Sequence, residues 1–495
     1  PGWKDGGERE KLQIKHIKKE IQKNLTRRRG QSRSSPHNRH EDSQDNSDIN
    51  HRRGSVAGML NPVFFASAQI DENNSIDAGK GMPERISSYR KAELLMHYMD
   101  YVFPLQFRFH TPDVNGRGWL LWLLVKTGPL YHAALSLSAL HQSIYFPNVF
   151  GNAYAELAGY HTKALRDLQE FLQHLRINDH RDEKSRLMEV MSCGVSLISF
   201  ELFQGGVSDW QLHLDALISI ITSRSSSAVI QLLTETRQKP DSRNTPLDWQ
   251  HTALSFLIAT IMWFDLLACA STGKAPRMPY EFLLDENIVD MSNYMGVQNW
   301  VMRAIGDIAA LDVWKNNVQD DDSSSHSDLV SRGRVIEQQL ERGLQDLDSS
   351  PLESYSTTMP GPFKRLNKVK NVTRSFATAA LVYLRVVLLG LGHDSDTIQD
   401  AVSRNVTSMK RITYQQDMRG MVWPICISGS MAETTHQPFY EAIVKEALGD
   451  SPRDFGNCAT ILKILTRSWE IRRLDQSRSV GWRDVMTEIG ICLLV

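Results

Sequence analysis

Between Tyr89 and Phe146 the chain packs its densest run of apolar and aromatic residues, and their spacing is helical throughout. Leu94, Leu95, Tyr98, Met99 and Val102 step by threes and fours, which places them on one face of a helix and predicts that this face is buried. Pro104 is expected to end that helix, because proline donates no N–H and disfavours helical geometry in the residue before it. The apolar run Trp119 to Val125 is followed by Gly128-Pro129, a strong stop. From Leu130 a third helix is predicted, with Leu130, Ala133, Ala134, Leu137 and Leu140 on one stripe. The interleaved Ala and Ser residues let neighbouring helices approach closely, so this helix is expected at the centre of a helical core.

The same period continues to the far end. Ala153 to Leu175 carries Leu157, Tyr160, Ala164, Leu168, Phe171 and Leu175 on an apolar face, and further helices are read over Arg186 to Phe203 and, after Gly205-Gly206, over Asp209 to Ile221. Such helix pairs with short connections favour antiparallel packing. Thr252 to Ala270 is apolar nearly all round and belongs inside the assembly. A less regular stretch with Pro276 and Pro279 follows, and the tract Gln319 to Ser327 reads as a surface loop. Leu329 to Leu347 and Arg374 to Leu389 are helices separated by a Pro- and Ser-rich segment, 349–362. The final block gives WPICISGSMAE, then helices over Gln437 to Leu448, Asn457 to Leu474 and Trp482 to Leu494. Alternating runs bounded by turn pairs are nearly absent, and no fixed repeat period emerges. The expected fold class is therefore all-α: a multi-helix body of irregularly packed helix pairs over 85–495.

The first 84 residues differ in kind. Residues 1–30 hold an apolar seam, Ile14, Ile17, Ile21 and Leu25, wrapped in lysines, and read as a short basic amphipathic helix ending at Gly30. The seam covers only about two heptads, so it supports at most weak homodimer pairing. Residues 31–84 are rich in Ser, Asn, Asp, His and Gly and cannot bury enough apolar surface to offset the entropy of ordering them, which predicts a disordered linker. The formal net charge is −1, but residues 1–30 carry +6 and the remainder −7, so the positive charge sits at one end. The chain as a whole is thus no electrostatic nucleic-acid binder. Within the leader, Lys11, Lys15, Lys18, Lys19 and Arg27, Arg28, Arg29 form two clusters that suit nuclear import or phosphate contacts. A solvated charged helix fits the same residues, and the pattern alone leaves both open.

Five cysteines, at 193, 269, 426, 458 and 492, show none of the two- to four-residue spacings of metal knuckles, which fits a reduced intracellular protein. No metal site is expected in this chain. The N-terminus lacks an apolar signal region. The run Phe376 to Leu391 is broken by Arg385 and reads as a buried core helix, so no membrane partner is expected. The chain begins with Pro1 and not Met, which reads as a fragment or a misassigned gene start.

Motifs for phosphate loops, zinc proteases, serine hydrolases and dinucleotide binding are missing. Ser428-Gly429-Ser430 has no preceding strand and is read as a helix break, with small residues for packing. His132 and His141, nine residues apart, face different sides of their helix, whereas paired histidine ligands need a step of three or four. Met96, Tyr98, Met99, Trp119 and Trp122 are candidates to line an apolar ligand pocket, the competing reading being ordinary core. Asp320 to Asp322 falls in a serine-rich tract, not on a helix as the metal motif of an all-helical terpene cyclase would require. The protein is read as a non-enzyme.

Residues 95–107 (LMHYMDYVFPLQF), 116–141 (GRGWLLWLLVKTGPLYHAALSLSALH), 423–429 (WPICISG), 461–473 (ILKILTRSWEIRR) and 482–486 (WRDVM) resemble the fungal-specific transcription factor domain, in particular the subgroup of acriflavine sensitivity control proteins. The resemblance covers roughly 85 to 495. It implies a nuclear transcriptional regulator whose DNA binding comes from a zinc-cysteine cluster immediately upstream of a segment like WKDGGEREK, where this chain opens. Zinc is implied for that cluster only, and no cofactor for the residues present. The implied partners are DNA, through the cluster and weakly through the basic helix, and the transcription machinery or its coregulators. A helical interaction scaffold or corepressor without DNA binding is the alternative.

Overall fold

The computed structural model describes residues 82–495 apart from 111–116, 127, 147–152, 175–182, 208, 225–248, 319–322, 350–360, 392–395, 413–414, 450–455 and 476–477. These belong to one unit, Ala78–Val495. The basic leader and nearly all of the expected linker lie outside the described residues. Every regular element among the described residues is helical and none is a strand, so the fold is all-α.

The first helix, α1 (Met82–His97), takes in the last three residues of the expected linker and runs into a π-helical turn, Tyr98–Val102, and then α2 (Phe103–Gln106). Pro104 does not end the helix here. It occupies the first turn of α2, where its missing N–H costs nothing, and the widened π turn before it absorbs the clash with the preceding backbone. Next come α3 (Gly118–Leu124) and α4 (Pro129–Tyr145). In the turn between them a Cβ on Gly128 would fall 1.7 Å from Glu189 Oε1, so a larger residue there would have to displace the Glu189 carboxylate. Fourteen of the seventeen α4 residues are buried, as its small-residue stripe predicts. It packs against α5 (Ala153–His174) and α6 (Glu183–Leu202), and α6 packs in turn on α7 (Trp210–Arg224).

Helix α8 (Trp249–Thr272) is the axis of the body. Ala253 through Ser271 are all buried, which is what an all-round apolar sequence requires. It contacts α3, α6 and α7 on the N-terminal side. Beyond it lie two short helices, α9 (Tyr280–Asp285) and α10 (Met291–Tyr294), then α11 (Asn299–Asn317), α12 (Ser323–Ser349), α13 (Gly361–Leu389) and α14 (Asp396–Met409). A 3₁₀ turn over Gln415–Gly420 leads to α15 (Val422–Met431), α16 (Gln437–Leu448), α17 (Cys458–Leu474) and α18 (Trp482–Ile489).

Several readings change. Ser323 to Ser327, expected in a loop, form the first turns of α12, and α13 starts at Gly361, well before Arg374. Ser428, Gly429 and Ser430 do not break a helix: they lie inside α15, whose ten residues are all buried. The small residues serve packing, since Gly429 faces Tyr440 and Leu465. Helix α18 stops at Ile489, five residues before Leu494; Gly490, with φ of 108°, turns the chain out of helix. Helices α8 and α13 contain stretches long and apolar enough to cross a bilayer, but those of α8 are wholly buried, and those of α13 largely so, within the body.

The two halves of the described unit are tied at one corner. Trp210 Nε1 donates to the carbonyl of Ile491 (3.0 Å), Leu493 N to that of Gly206 (3.0 Å) and Thr460 Oγ1 to that of Gly205 (2.8 Å). Gly205 and Gly206 take φ of 115° and 72°, open only to glycine at low cost.

Candidate functional site

The basic residues Lys11, Lys15, Lys18, Lys19, Arg27, Arg28 and Arg29 lie outside the described residues. The five apolar pocket candidates fall in separate places. Met96 is exposed, Met99 half-buried, and Tyr98 buried against Phe103, where burial raises its phenol above the usual range. Trp119 and Trp122 do come together, with Gly118, Trp249 and Thr252, around an apolar groove. There the Trp122 and Trp249 rings lie 4.3 Å apart and Lys126 Nζ sits 3.6 Å over the Trp122 ring, a cation–π contact.

A second cavity, which sequence reasoning did not find, opens where α2 ends. Its volume is about 90 Å³. Phe107, Leu202, Trp263 and Met295 form apolar walls, while Gln106, Arg108 and Arg419 bring polar groups to it. The π turn and α2 deliver Gln106 and Arg108 here, α6 contributes Leu202, and α8 contributes Trp263. Both amide atoms of Gln106 and the Nε of Arg108 are buried with no hydrogen-bond partner among the described residues. Leaving such atoms unpaired costs about 1–3 kcal/mol each, so the body carries this cost at a place where apolar side chains would pack. The neighbouring carboxylate of Asp417 accepts from Lys368 Nζ (2.8 Å). Burial depresses the Arg108 guanidinium from its ordinary value, Asp417 opposing and Arg419 reinforcing the shift.

Other titratable groups are held in their neutral forms. Burial lowers His97 to about 4, helped by Arg90, and His141 to about 3, helped by His97 and Arg419; His97 Nε2 and His141 Nδ1 lie 2.9 Å apart. His132 Nδ1 lies 2.7 Å from Asp167 Oδ2 on α5. All five cysteines are free and buried. Burial pushes the Cys492 thiol up to about 12, and those of Cys193, Cys269 and Cys426 higher still, so thiolate is scarce at neutral pH. Cys458 adds to the shift of Cys492, and Cys492 to that of Cys426, yet no group of three or more His, Cys, Asp or Glu side chains among the described residues could hold a metal ion. The described residues thus do not fit the zinc of a cysteine cluster.

The cavity at the end of α2 thus sets a few polar groups among apolar walls. The model of the fungal specific transcription factor domain matches residues 93–495, and the chain belongs to this family. It is 31% identical over 438 residues to the trichothecene biosynthesis transcription regulator TRI10 of Trichoderma arundinaceum, covering 84% of this chain and 99% of that protein. TRI10 of Fusarium sporotrichioides is 27% identical over 82% of this chain and 98% of its own length. The transcription factor dibT of Pestalotiopsis microspora is 29% identical over 80% of this chain and 69% of its own. No solved structure matches the chain. Transcription regulation is therefore the field in which the protein works.

Proposed function

We propose that the chain is the regulatory body of a nuclear regulator that controls a fungal biosynthetic gene cluster, acting by binding and not by catalysis. The observation that carries this reading is the match to regulators of such clusters across nearly the whole helical body, 84% of the chain in the Trichoderma case. Its mechanism is a population shift: a partner or ligand that prefers one arrangement of the packed helices biases it by its difference in affinity. Lys11, Lys15, Lys18, Lys19 and Arg27 to Arg29 serve import and weak phosphate contact, and base-specific contacts come from a zinc-cysteine module. Deleting the gene should silence one contiguous set of biosynthetic genes, read by transcript sequencing. Unchanged transcripts across every such cluster would refute the reading.

A second reading has its own support. The Trichoderma and Fusarium relatives are matched over 99% and 98% of their lengths, the Pestalotiopsis one over 69%. The body thus accounts for nearly all of some regulators, which favours one that works through protein partners with little DNA contact of its own. Fluorescence anisotropy separates the two. Binding by the leader alone falls steeply with salt and ignores sequence, whereas salt-resistant binding to a single duplex would require base readout and would exclude the second reading.

A further inference from the structure

We infer that the cavity at the end of α2 is a binding site for a small hydrophobic carboxylate, with Gln106 and Arg108 receiving the carboxylate and Phe107, Leu202, Trp263 and Met295 its tail. Nothing in the family match or in the relatives' names assigns a ligand to these residues. Three observations lead there. The first is the set of buried atoms that have no hydrogen-bond partner among the described residues, Gln106 Nε2 and Oε1 and Arg108 Nε: two donors and one acceptor on two residues that line one small cavity. Polar groups in an otherwise apolar wall fix the orientation of a ligand. The second is charge. Arg108 and Arg419 both line the cavity, and the nearby Asp417 carboxylate is engaged by Lys368, so the site favours an anion over a neutral guest. The third is size. At about 90 Å³ the cavity is smaller than the ~150 Å³ hole that admits a benzene ring, so it takes the carboxylate and the first carbons of a chain and not a polycyclic molecule.

The site also has a place from which to act. Gln106 and Arg108 lie at the end of α2, the short helix that continues the π turn, whose Met99 carbonyl accepts from Arg117 at the start of α3, while Leu202 and Trp263 belong to α6 and α8. A bound anion would therefore touch three elements of the core together, and those elements pack against α4 and α7. The inference deepens the regulatory reading, because a site of this kind supplies the ligand on which a population shift depends.

The test is calorimetric titration of the full chain with butyrate and hexanoate, with hexan-1-ol and hexylammonium as neutral and cationic controls. The expected result is saturable one-site binding of the carboxylates, at least tenfold weaker binding of the alcohol and none of the ammonium. Gln106→Leu should weaken hexanoate at least tenfold while the unliganded melting temperature holds or rises, since the amide atoms without partners are gone. Arg108→Met, which keeps the apolar stem, should abolish the preference for carboxylate over alcohol. Equal binding of alcohol and carboxylate would overturn the inference, as would no binding up to about 10 mM or wild-type affinity in the Gln106→Leu protein; ordered water alone would then fill the cavity. If either variant fails to fold, the selectivity of the wild-type protein among the four probes still decides. Transcript changes on gene deletion test the regulatory reading without any of these compounds, so the two can fail separately.

Discussion

The ion pair between Arg483 and Asp312 joins α18 to α11, and its two ends are unequally buried. Arg483 Nη2 lies 2.6 Å from Asp312 Oδ2; the Arg483 side chain is 31% exposed and that of Asp312 only 9%. Arg483 keeps other partners, donating through Nε to the Ala270 carbonyl (2.7 Å) and through Nη2 to Tyr383 Oη (2.9 Å). Among the described residues Asp312 has in addition only the Tyr383 hydroxyl, at 3.3 Å. Arg483→Met therefore strands a carboxylate in the interior, at a cost of about 3–5 kcal/mol. Asp312→Ala leaves an arginine that can turn toward water while holding Ala270, at a cost of about 1–3 kcal/mol. The double variant Asp312→Leu with Arg483→Met removes both charges and should recover most of the larger loss, because a buried pair replaced by apolar groups is often neutral. Urea unfolding of the full chain, followed by circular dichroism, gives the order of midpoints: wild type, then Asp312→Ala, then Arg483→Met, with the double variant above Arg483→Met. The reasoning is refuted if Asp312→Ala is the more damaging single change, or if the double variant falls below both.

Other consequences are as direct. Burial lowers His161 to about 4, aided by the charge of His213, and its ring stacks on Phe200 at 4.1 Å; the unfolded chain takes up this proton near pH 6.5. The folded pKa is depressed, so stability from this residue is present above pH 6.5 and is lost as pH falls from there toward 4. His161→Phe should flatten that part of the pH–stability curve, and an unchanged slope would contradict the assignment. In Gly306→Ala the new Cβ would fall 2.4 Å from the Tyr280 ring, so overpacking should cost about 1–3 kcal/mol in the same urea assay. Asn405 donates to the Ser375 carbonyl (2.9 Å) and Thr378 Oγ1 (3.0 Å) and accepts from Tyr440 Oη (2.9 Å); Asn405→Leu takes the acceptor from the buried Tyr440 hydroxyl, while Thr378 keeps its backbone acceptors, and should cost about 1–3 kcal/mol in the same urea assay. In cells, alanine at Lys18, Lys19 and Arg27 to Arg29 should move a fluorescently tagged protein out of the nucleus, read by microscopy.

Helix α8 was legible in sequence because Ala253 to Ser271 is apolar on every side, and burial of such a helix follows from composition alone. Helix α16 was legible to the residue, with Pro438 in its first turn and Gly449, at φ of 64°, after its last. By contrast α11 and α14 were passed over. In α11 the periodic residues Val301, Ile305 and Ile308 are mixed with Gly306, Asp307 and Asp312, and the preceding prolines suggested irregular chain. Only their partners in space make those aspartates intelligible: Asp307 accepts from Tyr280 of α9, and Asp312 meets Tyr383 of α13 and Arg483 of α18. The α2 cavity was hidden for a different reason. Sequence density pointed to the tryptophans and methionines, whereas the informative residues are the polar ones, Gln106 and Arg108, set between Phe103, Phe107 and Phe109. Their partners in space, Leu202, Trp263 and Met295, lie more than ninety positions away, and no local period reports such a distance.

The bond from Trp210 to Ile491 spans 281 positions of chain. At translation rates of about 5–20 residues per second, Trp210 waits roughly 15–60 s for its acceptor to be made. Through that interval the corner around Gly205 and Gly206 and the apolar faces it closes lie open to chaperones and to other nascent chains. The supply of finished regulator in the cell is thus set partly by how well this half-built body is sheltered during synthesis.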